Sequence, residues 1–232
     1  MRSTRLILLR HGQSVYNKEN LFTGWTDVAL SEQGIAEAEA AGRLLGEKGL
    51  YPDICFTSWL ERAIHTAQLV LKTLEWEQID CIKSWKLNER HYGAWQRRRK
   101  DEVEKEVGHD AFTAVRRGYD TPPPPLPDGD PRLSEHELKY ANVDAAQLPR
   151  GESLADTRVR AAAYYYEKIV PELVRGKTVL VSAHGNSLRA LVMQIERLSA
   201  ARIADIEIPT GRPVVYTFDE TMRLLEKSRD RQ

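Results

Sequence analysis

Two short apolar runs, each breaking into His-Gly, constrain the fold of this chain more than any other feature. Residues 6–9 (LILL) lead into Arg10-His11-Gly12-Gln13-Ser14, and residues 179–183 (VLVSA) lead into His184-Gly185-Asn186-Ser187. Runs this short, with no polar alternation, read as strands buried on both faces, the signature of a parallel sheet covered by helices. Residues 54–56, 79–82 and 178–183 extend the set, and Val214, Tyr216 and Phe218 alternate as an edge strand would. In such sheets ligands bind beyond the carboxyl ends of the strands, where helix N-termini offer free N–H groups to anions.

Between the strands lie helical patterns. Ser31 suits the cap of a helix running to about Lys48, with Ile35, Ala38, Gly42 and Leu45 on one face and Gly49 at its end. A second helix follows Ser58, a third spans about 152–170 and stops at Pro171, and a fourth begins near Ser187. This order predicts an α/β protein: a three-layer α/β/α arrangement with a mainly parallel sheet. Residues from about 86 to 150 have weaker periodicity, much charge and a stiff stretch at 122–127, and read as an insertion over the sheet within one catalytic domain spanning 1–232.

Composition narrows the function classes. At 41% hydrophobic residues and zero net charge, the chain has ample material for a core and no global charge to attract nucleic acid or a membrane surface. The neutrality is local cancellation: residues 86–100 hold six Lys and Arg against one Glu, while 101–115 hold one Lys against five acids. Two cysteines, Cys55 and Cys81, are too few for a disulfide framework and read as reduced core residues. The Met-Arg-Ser-Thr-Arg start and the lack of any run near 18 apolar residues predict a soluble, cytoplasmic protein.

The paired His-Gly strands point to one crevice holding two imidazoles. Neither histidine has a second ligand at metal spacing, so no metal site is expected. A neutral imidazole can attack phosphorus and carry the phosphoryl group, provided cationic donors surround the equatorial oxygens. Arg10 and Arg62 suit that task, and Glu89 is a candidate proton donor to the leaving oxygen. Trp25, Trp59, Trp85 and Trp95 read as core or rim packing.

The strings LLRHGQSVYNKENLFTGWTDVALSEQG, TSWLERAIHTA, LNERHYG, VRRGYDTPPPP and SAHGNSLRALV resemble the cofactor-dependent phosphoglycerate mutases of the histidine phosphatase superfamily, over about residues 5–218. The resemblance implies a phosphoglycerate mutase-like fold. It also implies interconversion of 3-phosphoglycerate and 2-phosphoglycerate through a phosphohistidine, in glycolysis and gluconeogenesis, primed by 2,3-bisphosphoglycerate without a metal. A phosphatase or a bisphosphoglycerate synthase of the same superfamily is the alternative.

Carried over by position, the resemblance makes His11 the nucleophile and Glu89 the proton donor and acceptor. It gives His184, Arg10 and Arg62 the transferring phosphoryl group, with Gly185, Asn186 and Asn17 also against phosphate. Ser14, Thr23, Gly24, Arg90, Tyr92, Lys100, Arg116 and Arg117 are expected to hold the rest of the substrate. A glycerate with two phosphates and a carboxylate suits so many cations. The resemblance further implies a homodimer or homotetramer.

The chain departs from the pattern in places. Arg97-Arg98-Arg99 replaces a Gly-Leu-Asn type of sequence and is expected to pair with the acidic run after Lys100; Trp95 and Gly118 also differ. Only 14 residues follow Phe218, a short tail where many relatives close the site, which bears on water exclusion and the mutase-to-phosphatase balance.

Overall fold

A computed structural model describes residues 4–229. Residues 1–3, part of the Met-Arg-Ser-Thr-Arg start, and residues 230–232 of the tail lie outside the described residues. Six strands form one sheet: β1 (Thr4–Arg10), β2 (Ile54–Thr57), β3 (Cys81–Lys83), β4 (Thr178–Ala183), β5 (Pro213–Phe218) and β6 (Leu224–Arg229). Their order is β3-β2-β4-β1-β5-β6, with the first four parallel and β5 and β6 antiparallel.

The helices are α1 (Val15–Lys18), α2 (Glu32–Glu47), α3 (Glu61–Thr73), α4 (Lys100–Val107), α5 (His109–Arg117), α6 (Leu154–Tyr164), α7 (Val170–Val174), α8 (Gly185–Glu196) and α9 (Ala200–Ile203). Alternation along β1 explains the layering. Leu6 and Leu8 pack with Leu154, Ala161, Leu188 and Leu191 of α6 and α8, whereas Ile7 and Leu9 pack with Ala41, Leu45, Ala67 and Val70 of α2 and α3. Both faces are dry, which is why these strands carry no polar alternation. A small satellite core of Phe22, Trp95, Val103, Phe112 and Val115 supports α4 and α5 beside the sheet. Among the described residues no helix is long and apolar enough to cross a membrane.

Several boundaries depart from the sequence reading. The 214–218 strand is internal, because β6 turns back and pairs along it. The residues after Phe218 therefore extend the sheet through Arg229, and none of them lines the cleft described below. β3 begins at Cys81, two residues later than the apolar pattern. Pro171 does not stop the 152–170 helix: a π-helical segment, Tyr165–Ile169, leads into α7 with Pro171 in its first turn, where a missing N–H is tolerated. α8 starts at Gly185, directly after His184. The 86–150 stretch holds α4, α5 and several 3-10 turns; Leu126 N–H donates to the Arg150 carbonyl, tying the proline-rich stretch to its far end. Cys55 is buried, while Cys81 is only half-buried, and the free thiols face each other across β2 and β3 at 3.3 Å.

Candidate active site

The adjacency of β1 and β4 builds the site. Their register pairs Arg10 with Ala183, and His11 N–H donates to the Ala183 carbonyl at 3.0 Å. The two imidazoles therefore emerge from the same sheet end with centroids 5.0 Å apart. Gly12 and Gly34 permit the tight packing of this loop on α2: a Cβ on Gly12 would sit 2.1 Å from the Gly34 carbonyl oxygen.

His11 has a defined tautomer. Its Nδ1 lies 2.7 Å from the Gly12 carbonyl, so Nδ1 carries the proton and donates, and the unprotonated Nε2 accepts from Arg62 Nε at 3.3 Å. Burial, then Arg62 and Arg10, hold the His11 pKa well below the usual histidine range, so the ring is a neutral nucleophile at neutral pH. Arg62 is itself buried, which lowers it to about 10, and its Nη atoms donate to the carbonyls of Gly24 and Thr26.

His184 is also fully buried and held well below the usual range by burial, then Arg62. Its Nε2 lies 2.7 Å from Ser58 Oγ, which also accepts from Leu60 N–H. Nδ1 is buried with no hydrogen-bond partner; with the Ser58 hydroxyl donating to Nε2 it carries the proton and is matched to a phosphoryl oxygen. Ser58 thus orients a catalytic-site histidine, a contact that sequence spacing does not reveal.

Glu89 lies across from the histidines. Its Oε1 accepts from the N–H groups of Arg90 (2.8 Å) and Asn186 (3.0 Å). Holding Glu89 is a buried pair absent from the sequence reading. Arg160, on α6, donates to the carbonyls of Lys86, Asn88 and Glu89 and to both oxygens of Glu152, and Glu152 accepts from His91 N–H. Trp25 Nε1 also donates to the Glu89 carbonyl.

These groups open onto a cleft of about 750 Å³ including its solvent mouth. Arg10, His11, Arg62, Glu89, Gly185 and Asn186 line it, as do Asn17, Thr23, Gly24 and Tyr92 and the three cations Lys100, Arg116 and Arg117. Lys100 heads α4, where the helix dipole disfavours a cation; burial, then Arg116, lower its pKa. An anion in the cleft relieves both costs.

Three expected residues do not line the cleft: His184, Ser14 and Arg90. Ser14 caps α1, accepting from Asn17 N–H while Asn17 Oδ1 accepts from Ser14 N–H. Fully buried Arg90 donates to the carbonyls of Val115 and Arg116 and to Tyr92 Oη, fixing the end of α5 that presents Arg116 and Arg117. Conversely, Arg189, Ile206, Glu207 and Ile208 line the cleft unanticipated. Arg189 on α8 donates to Asn186 Oδ1 and to the Ile203 carbonyl, and burial lowers it to about 10. Two arginines of the basic triplet pair outward with the acidic run, Arg98 with Glu106 and Arg99 with Asp101. Among the described residues no three metal-ligating side chains cluster.

Comparison with known proteins agrees with this geometry. The model of the histidine phosphatase superfamily (branch 1) matches residues 6–133 and 131–231. A 2,3-bisphosphoglycerate-dependent phosphoglycerate mutase of Treponema denticola is 47% identical over 96% of this chain and 90% of its own length. The enzyme of that name from Thermobifida fusca is 49% identical over 93% of this chain and 87% of its own. Among solved structures, a mycobacterial glucosyl-3-phosphoglycerate phosphatase superposes with a TM-score of 0.73 at 23% identity, covering 98% of both chains, a likeness of fold alone. The chain belongs to the histidine phosphatase superfamily, branch 1, and within it to the 2,3-bisphosphoglycerate-dependent phosphoglycerate mutase family.

Proposed function

We propose that this protein interconverts 3-phosphoglycerate and 2-phosphoglycerate through a phosphorylated His11, in glycolysis and gluconeogenesis. The observation that carries the proposal is a neutral imidazole, unprotonated at Nε2 where Arg62 donates to it, in a cleft that Lys100, Arg116 and Arg117 also line. A simple phosphatase has no need for that second anion site.

The residues fit 2,3-bisphosphoglycerate: Arg10, Arg62 and His184 suit one phosphate, and Lys100, Arg116 and Arg117 suit the opposite end. When bound, it supplies the phosphoryl group that loads His11. His11 Nε2 would form the N–P bond as the P–O bond to the glycerate oxygen breaks, while the Gly12 carbonyl accepts from Nδ1–H. Arg10, Arg62 and His184 Nδ1–H stabilise charge on the equatorial oxygens. When the group moves to a substrate hydroxyl, the N–P electron pair returns to Nε2 and Glu89 accepts the hydroxyl proton. In the opposite direction Glu89 returns that proton to the leaving oxygen. Arg160 and Glu152 keep its carboxylate in place.

Glu89, Tyr92, Lys100, Arg116 and Arg117 of the 86–150 stretch line the cleft, which supports its reading as a cover within one catalytic domain. A cytoplasmic homodimer or homotetramer completes the proposal, and light scattering on the purified protein tests the assembly. Radiolabelled 2,3-bisphosphoglycerate should label His11 and sustain isomerisation in the presence of a chelator. Label elsewhere, or activity lost to the chelator, refutes the mechanism. Phosphate release measured on the same preparation separates a mutase from a phosphatase.

A further inference from the structure

Among the described residues only two carboxylates line the cleft, Glu89 and Glu207. Glu207 lies on the segment joining α9 to β5. Its Oε1 accepts from Arg117 Nη2 at 2.7 Å. The segment is anchored: Ile208 is buried in the core, Ile206 packs against it, and Arg10 Nη1 donates to the Ile208 carbonyl at 2.8 Å. Backbone geometry therefore delivers a negative charge to a cation assigned above to substrate. Arg117, and behind it Arg116 and Arg10, hold the Glu207 carboxyl below the usual carboxylate range, so it is ionised at neutral pH.

From this geometry we infer that Glu207 is a resident anion that competes with the distal anionic group of the substrate for Arg117, and so sets affinity and specificity at that end of the cleft. The inference rests on the functional reading above. A ligand with a second anionic group must displace Glu207 from Arg117, with no covalent change, and the freed carboxylate turns to solvent, where 73% of its side chain is already exposed. A ligand anionic at one end only leaves the pair intact. Glu207 thus tempers the attraction of a strongly cationic cleft for its product, favouring release.

The test is Glu207→Gln, which removes the charge with little change of shape at an exposed site. Calorimetric titration without 2,3-bisphosphoglycerate compares 3-phosphoglycerate with sn-glycerol 3-phosphate, which lacks the carboxylate. E207Q should bind 3-phosphoglycerate about 2- to 5-fold more tightly, the span of a half-exposed ion pair, and glycerol 3-phosphate unchanged. Equal or weaker 3-phosphoglycerate binding overturns the inference. So does equal tightening of both ligands, which assigns the effect to overall charge. Isomerase assays on the wild type keep the readings apart: an inactive wild type overturns the functional proposal, while the binding comparison still decides this one.

Discussion

Arg62 Nε stands 3.3 Å from His11 Nε2, so one guanidinium touches the lone pair proposed to attack phosphorus and also helps keep that imidazole neutral. Arg62→Gln should raise the His11 pKa and lower kcat by about 100-fold, the scale of one lost transition-state donor. Arg62→Lys keeps the charge and should keep the pKa low while losing the fork to Gly24 and Thr26. Histidine NMR titration and steady-state kinetics check both; an unchanged His11 pKa in R62Q counts against the coupling.

The Arg160–Glu152 pair, 8% and 5% exposed, is a positioning device for Glu89. Removing one partner strands the other charge in the interior, so Arg160→Met should cost about 3–5 kcal/mol in urea unfolding. Glu152→Gln retains hydrogen-bonding capacity and should fold. It should lower kcat more than it raises KM. A kcat equal to wild type removes the pair from catalysis.

Arg97 adopts a φ of +71°, the left-handed conformation that L side chains disfavour. Its N–H donates to the Phe22 carbonyl and Arg98 returns a bond to Phe22 N–H, so the loop keeps this path despite the side chain. Arg97→Gly should stabilise the fold by about 0.5–1 kcal/mol, relief of strain exceeding the added unfolded-state entropy. Denaturant midpoints measure it, and a destabilised variant contradicts the account.

Two glycines on α2 should respond oppositely to alanine. A Cβ on Gly34 would lie 2.0 Å from the Gln13 carbonyl oxygen, whereas one on Gly46 would meet Leu74 at an ordinary 3.4 Å. Gly34→Ala should lose about 1–3 kcal/mol and depress activity by shifting the loop after His11. Gly46→Ala should gain up to about 1 kcal/mol from helix propensity. Thermal melts of both variants suffice, and a neutral G34A contradicts the close packing.

Buried neutral histidines make stability depend on pH. His11, His184 and His91 are all held below the usual range chiefly by burial, His91 at about 3. Below pH ~6.5 the unfolded chain binds protons that the native state refuses, so stability is full above that pH and falls as pH drops. The slope should approach about 1.4 kcal/mol per pH unit for each histidine. Urea unfolding at pH 7.5, 6 and 5 reads it out; a flat profile contradicts native-state burial of neutral rings.

The His-Gly pairs were legible because each is a local event: an apolar run long enough only for a strand, then a residue pair suited to a turn at its end. Arg160 and Arg189 were not, because a charged residue on an amphipathic helix has the same sequence appearance whether it faces water or a buried carbonyl. The edge-strand reading of residues 214–218 failed similarly. β6 carries Glu226 and Lys227, so its charged sequence resembles a solvated tail until β5 supplies its hydrogen bonds.

By itself the sequence determined the layers and the chemistry, since hydrophobic periodicity and turn residues act over a few neighbours. Only the tertiary structure decided which polar groups were taken out of water and against whom. Strand order put His11 beside His184, burial kept both neutral, and distant helices placed Arg160 under Glu89 and Glu207 against Arg117. Desolvation and ion pairing depend on neighbours far apart in the chain, so no local pattern records them.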